Sequence, residues 1–165
     1  MLRIGGKMEI RYDTYCGLNC GACPVGLANE QGNVERISEM ALEWGSLPEE
    51  LKCRGCKTEE TAVFCTDCRM RVCAREKELE FCIECDDYPC EIISEFRNDE
   101  APHHSAVLKN LELIKKMGLK AWLDAEAKRW SCPECGKRFH WYSENCSECG
   151  SSLYNAIAEE KDLNI

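Results

Sequence analysis

Residues 130–153 read WSCPECGKRFHWYSENCSECGSSL, a C-x2-C-x10-C-x2-C run from Cys132 to Cys149. Two thiolates three positions apart on a tight turn can reach one ion, and two such clips complete a four-thiolate site. Gly136 and Gly150 each follow the second cysteine of a clip. That position needs a positive φ so that the backbone can turn an amide back toward sulfur. Residues 138–142 (RFHWY), between the clips, have strand character. The spacing therefore predicts a zinc ribbon over 130–153 with Cys132, Cys135, Cys146 and Cys149 in a closed tetrahedral shell. Iron would accept the same four thiolates. A closed shell leaves no position for water or substrate, so the ribbon reads as structural or as a contact surface, not as a catalyst. His140, in mid-strand, is expected to point off the hairpin.

Upstream the same clip recurs as Cys20/Cys23, Cys53/Cys56, Cys65/Cys68 and Cys82/Cys85, with Cys16, Cys73 and Cys90 outside any clip. Fifteen cysteines in 165 residues would suggest a disulfide scaffold in a short secreted chain. Three features oppose that. The count is odd, residues 1–13 (MLRIGGKMEIRYD) offer no apolar run for a secretory leader, and close-set clips suit a metal better than a disulfide. No stretch approaches the ~20 apolar residues of a membrane span. The expectation is a reduced, soluble, cytoplasmic metalloprotein that does not engage a membrane. Hydrophobic residues make up 44% of the chain, but that figure includes the cysteines. The apolar share left for packing is thin, and metal binding would supply folding energy in its place, about 10–16 kcal/mol for a structural zinc.

Three pieces are expected: a cysteine-rich metal-binding domain over 8–98, a helical connector over 102–129, and the ribbon over 130–153 followed by a short polar tail. In the first, residues 33–44 (NVERISEMALEW) repeat apolar side chains at helical spacing, with Val34, Ile37, Met40, Ala41 and Trp44 on one face. Gly45 ends that helix and Pro48 blocks its resumption. A second helix is expected over 89–97, with Pro89 in its first turn and Ile92, Ile93 and Phe96 inward. The connector reads as two helices hinged at Gly118, the first carrying Val107, Leu108, Leu111 and Ile114 and the second Leu119, Trp122 and Leu123. His103 and His104 stand where they could cap the first of these.

Ligand partition in the first domain stays open. One pairing joins Cys20/Cys23 with Cys53/Cys56, and Cys65/Cys68 with Cys82/Cys85. A rival brings in Cys73 and Cys90 in place of a clip, since CTDCRMRVC (65–73) and CIECDDYPC (82–90) share the pattern C-x2-C-x4-C. Leftover thiols could also be buried and inert. YCGLNCGAC (15–23) contains C-x3-C-x2-C, the spacing by which radical S-adenosylmethionine enzymes hold a four-iron cluster. Those enzymes need a βα barrel of about 200 residues, and no alternation of strands and helices follows Cys23. No nucleophile–histidine pair, phosphate loop or His-Glu-x-x-His is present. No catalytic or organic-cofactor site is assigned.

The formal charge is −9, and the whole deficit lies in residues 1–100, which carry 12 Lys/Arg against 21 Asp/Glu. Such a surface repels phosphate backbones, which disfavours nucleic acid as a partner. The ribbon residues Lys137, Arg138, Trp141 and Tyr142 are expected to form an exposed contact surface for another protein.

Four stretches together resemble a prokaryotic cysteine-rich family, the domain of unknown function numbered thirty-seven ninety-five. They are YCGLNCGAC (15–23), the CRGC clip (53–56), CRMRVCAREK (68–77) and CIECDDYPC (82–90). NLELIKKMGLKAWL (110–123) followed by a ribbon is similar to an extension carried by some members. The resemblance implies zinc binding in a bacterial or archaeal cytoplasm and supplies no reaction. The expectation is a small, irregular, metal-stabilised α+β protein holding about three zinc ions and serving protein interaction or regulation. The alternative is an iron–sulfur redox or enzyme accessory protein built on the N-terminal cysteines.

Overall fold

A computed structural model describes residues 9–164. The leader reading of the opening residues, and the first residue of the 8–98 region, fall outside that range in whole or part. Among the described residues eight α-helices run in order: α1 (Pro24–Glu30), α2 (Val34–Trp44), α3 (Val63–Thr66), α4 (Arg69–Glu76), α5 (Glu91–Arg97), α6 (Val107–Met117), α7 (Leu119–Arg129) and α8 (Ala156–Leu163). Short 3-10 turns lie at Cys20–Ala22, Pro48–Leu51, Cys82–Glu84 and Pro102–Ala106. None of the helices described is long and apolar enough to cross a membrane.

The fold is helical, which corrects the α+β expectation. Among the described residues the only sheet-like pairings are two isolated antiparallel bridges, Ser131 with Arg138 and Asn145 with Ser152. Residues 138–140 carry no helix or turn, and Trp141 and Tyr142 lie in a turn that Ser143 closes by donating to His140 O (3.1 Å). The backbone bonds of the stretch are shared among three other segments. Phe139 donates to Trp130 O (3.0 Å), Trp141 donates to Ala22 O (3.0 Å), and Trp141 O accepts from Ala156 (2.8 Å). A ladder needs consecutive bonds to one neighbour. This segment instead pins the ribbon to the N-terminal module and to α8.

The helical expectations stand with local adjustments. Asn33 caps α2 by accepting from the Arg36 amide (3.0 Å), and Gly45 closes it in the left-handed region at φ 66°. Only Met40 and Ala41 of its apolar face are fully buried, while Val34 and Trp44 stay exposed. Trp44 instead meets Phe64 of α3 edge to face, with centroids 5.9 Å apart. Pro89 precedes α5 and Cys90 is its N-cap, so the proline lies outside the first turn. α6 and α7 form the expected pair, joined at Gly118. The polar tail contains α8, capped by Asn155 accepting from the Ala158 amide (3.1 Å) and packed on the Pro102–Ala106 turn.

Three small cores replace a single large one. One joins Cys16, Met70, Phe81, Ile93, Val107, Leu111 and Trp122. A second joins Ala22 to the ribbon residues Trp130, Phe139, Trp141 and Leu153, and a third packs Val25, Met40, Leu51, Cys53 and Ala62 under α2. This distribution fits a chain whose apolar content is too thin for one continuous core.

Candidate metal centres

The ribbon cysteines converge. The sulfurs of Cys132, Cys135, Cys146 and Cys149 all lie within 4.8 Å of one another, with Cys132–Cys149 at 3.6 Å and Cys135–Cys146 at 3.5 Å. A tetrahedral ion with metal–sulfur bonds of about 2.3 Å requires sulfurs about 3.8 Å apart, so the four fit a single ion. Each clip is a closed turn: Gly136 donates to Cys132 O (2.8 Å) and Gly150 to Cys146 O (2.9 Å). Both glycines hold positive φ, 77° and 76°, as the spacing predicts. Amides aim at the sulfurs. The Ser151 hydroxyl and then its amide lower the Cys149 thiol to about 6, and the amides of Cys149 and Glu148 lower Cys146. These donors favour thiolate, the form that binds metal, at Cys146 and Cys149. At Cys135 the Lys137 amide also favours thiolate, but desolvation and the neighbouring sulfurs push the thiol up to about 12, so its proton must be displaced on binding.

The ribbon's aromatic face is not exposed, which corrects the expectation of a contact surface there. Trp141 is 8% exposed. Its ring stacks on His103 with centroids 4.0 Å apart, and the Tyr142 hydroxyl bonds His103 Nδ1. Arg138 pairs with Glu30 and donates to Gly21 O (2.7 Å). Of the four residues Lys137 is exposed, Arg138 and Tyr142 are half-buried, and Trp141 is buried. His140 is half-buried, and its Nδ1 accepts from the Tyr142 amide (3.1 Å) within its own turn. The aromatic run that looked like a docking face is the joint between ribbon and module. Composition cannot separate these, because an apolar patch reads alike whether a partner or the same chain covers it.

Where the three cores meet lies a cavity of ≈240 Å³. Cys16 and the clips Cys20/Cys23, Cys53/Cys56 and Cys65/Cys68 line it, together with Phe96, His103, His104 and Trp141. The lining is built from local signals. Asn19 caps the turn carrying Cys20, Cys23 is the N-cap of α1, and Cys68 is the N-cap of α4. Gly55, between Cys53 and Cys56, has φ 114°, and a Cβ there would fall 2.1 Å from Arg11 O. Only glycine allows this clip to pass so close to the opening strand of chain.

Two buried polar residues that the sequence did not single out hold these clips. Asn29 donates to Val25 O (2.8 Å) and Leu51 O (2.9 Å) while accepting from the Cys53 amide (3.3 Å). The Arg71 guanidinium donates to the carbonyls of Cys56 (2.9 Å), Thr66 (3.1 Å) and Thr58 (3.1 Å). A buried arginine with no acidic partner, satisfied by three carbonyls, staples the 53–56 loop to α3 and α4. The one available sequence signal was that it lies on the inward face of a short helix between cysteines.

Burial pushes the Cys16 and Cys23 thiols up to about 11 and Cys56 to about 12, so a metal binding here must displace their protons. Cys82, Cys85, Cys73 and Cys90 are not part of this lining. Cys85 turns toward Lys77 Nζ (3.2 Å). The cavity thus brings Cys20/Cys23, Cys53/Cys56 and Cys65/Cys68 together with Cys16, while Cys82 and Cys90 pack beside Cys68 against the core that contains Cys16. Outside the ribbon, no three described His, Cys, Asp or Glu ligand atoms come within 4.8 Å of one another. All fifteen cysteines are free thiols.

Residues 12–95 match the family DUF3795, described as a protein of unknown function. No curated protein and no solved structure matches the chain.

Proposed function

This chain belongs to the DUF3795 family, and we propose that it is a zinc–thiolate protein serving protein interaction. In this reading one zinc ion, held by Cys132, Cys135, Cys146 and Cys149, folds the ribbon and clamps it over the cysteine module. The observation that carries it is the mutual approach of those four sulfurs within 4.8 Å. Four protein ligands leave no open coordination position, so the ion acts as a structural element. The clamp works because the ribbon spends its own polar and aromatic groups on the module: Arg138 on Glu30, Trp141 and Tyr142 on His103.

The contact face then belongs elsewhere. Trp44 and Phe64 touch while each stays about half exposed, and Val63 and Leu47 are exposed nearby in sequence. Exposed large apolar groups on an acidic surface fit a protein partner better than a phosphate backbone. Elemental analysis tests the zinc assignment, with one zinc expected that disappears in Cys146→Ser. A protein that bound no zinc, or kept its ribbon order after exhaustive chelation, would end this reading. Loss of a co-purifying partner in Trp44→Glu/Phe64→Glu, but not in Lys137→Ala, tests the face.

A further inference from the structure

We propose that the cavity bounded by Cys16 and the clips Cys20/Cys23, Cys53/Cys56 and Cys65/Cys68 is the site of an iron–sulfur cluster. This centre is separate from the ribbon ion and stands whether or not the ribbon binds zinc. The argument begins with a contrast inside one molecule. Where the chain builds a site for a single ion, it brings four sulfurs within 4.8 Å. Around the cavity seven cysteines converge, yet no three sulfurs reach that spacing. One tetrahedral ion takes at most four thiolates, fewer than the seven that line this cavity. In a four-iron cubane each cysteine binds a different iron, so the thiolates stand several ångströms further apart than around one ion.

Size agrees. The cavity measures ≈240 Å³, whereas about 10–15 Å³ suffices for one water. Its wall between the thiols is largely apolar, with Leu18, Val25, Ala62, Phe96 and Trp141 facing in. An apolar shell that excludes solvent is the surrounding that sets the potential of a cluster. The Gly55 amide lies 3.4 Å from Cys53 Sγ, a donor of the kind that tunes thiolate ligands. Cys16, Cys20 and Cys23 also carry the C-x3-C-x2-C spacing suited to a four-iron cluster, and all three line this wall. Phe64, half exposed, lines both the cavity and a shallow groove toward Ile92 and Glu95, which gives the interior a route to the surface.

The test is metal and acid-labile sulfide analysis of the full chain purified without oxygen, with a visible spectrum before and after dithionite. Apo-protein offered iron, sulfide and zinc together is measured in parallel. About four iron with matching sulfide per chain, and a broad visible absorbance that dithionite bleaches, are expected. Cys65→Ser, on the cavity, should lose most of that iron, whereas Cys85→Ser, outside it, should keep it. A colourless protein with zinc alone and no sulfide, under both regimes, overturns the cluster and leaves the ribbon assignment standing. Iron and sulfide without any zinc overturns the ribbon assignment and leaves the cluster standing. Because the wild-type chain carries the decisive measurement, a variant that fails to fold does not blunt it.

Discussion

Trp141 of the ribbon lies flat on His103 of the Pro102–Ala106 turn, with ring centroids 4.0 Å apart and planes inclined by 15°. Both rings line the cysteine cavity. Through Trp141 the C-terminal four-cysteine segment therefore supplies part of the wall of the N-terminal thiol cavity, and the two cysteine-rich ends of the chain pack together.

Trp141→Ala should destabilise the fold by about 3–5 kcal/mol, the usual cost of deleting a buried large aromatic. Trp141→Phe keeps a ring over His103 and should cost much less. Urea denaturation followed by circular dichroism reads both. Equal losses would mean that the indole is not packed as described.

Chelation should unfold the ribbon. The four thiolates hold together two clips with only isolated bridges between their flanks, and a structural zinc contributes about 10–16 kcal/mol at neutral pH. Cys146→Ser should reproduce the effect without chelator. Near-ultraviolet circular dichroism from Trp130 and Trp141 is the direct reporter, and an unchanged signal after metal removal would contradict the prediction.

Gly55→Ala should be far more damaging than Gly45→Ala. At Gly45 a Cβ meets open space and only the left-handed backbone is penalised, about 1–2 kcal/mol. At Gly55 the Cβ would lie 2.1 Å from a backbone carbonyl, so the Cys53/Cys56 clip must move. A ranking of melting midpoints decides it, and metal content should fall only in the Gly55 variant.

Asn155→Ala should cost about 1 kcal/mol by removing the N-cap of α8. The loss should pass to the Pro102–Ala106 turn against which α8 packs. A melting midpoint lowered by a few degrees is expected, and Asn155→Ser should largely restore it.

Acid should weaken the His103 contact. Burial, then the neighbouring His104, lowers His103 to about 3 from an ordinary value of 6.5. The folded pKa is depressed, so the unfolded chain takes up a proton that the folded one refuses. Stability is full above pH 6.5 and declines below it until about pH 3, by about 1.4 kcal/mol per pH unit within that window. His103→Phe should flatten this component of the pH profile relative to the wild type at matched metal occupancy. An unchanged slope would remove His103 as its source.

Much of the local structure was legible because its causes are local. Asn33 and Gly45 bracket α2, Gly118 separates α6 from α7, and Gly136 and Gly150 turn each ribbon clip, all through capping and φ preferences that act within a few residues. α8 escaped notice because its apolar content is slight and its helix depends on packing against a turn fifty residues away. The strand character of 138–142 misled for a related reason. Extended propensity says nothing about which carbonyls the amides will find, and here Trp141 finds Ala22.

The sequence by itself determined which four cysteines converge in the ribbon, since Cys132 to Cys149 spans few enough residues for two clips to bring four sulfurs within reach of one ion. It also determined that each upstream C-x2-C would present two thiols together. Which clips would share a site was left to the tertiary structure. Asn29 and Arg71 tie the Cys53/Cys56 loop to α1 on one side and to α3 and α4 on the other, which brings Cys20/Cys23, Cys53/Cys56 and Cys65/Cys68 to one cavity with Cys16. The lid over them comes from a ribbon more than sixty residues further on. Spacing can fix the two ends of a clip, but the partners of a clip are chosen by long-range packing, in which charge, burial and hydrogen bonds distant in sequence act together.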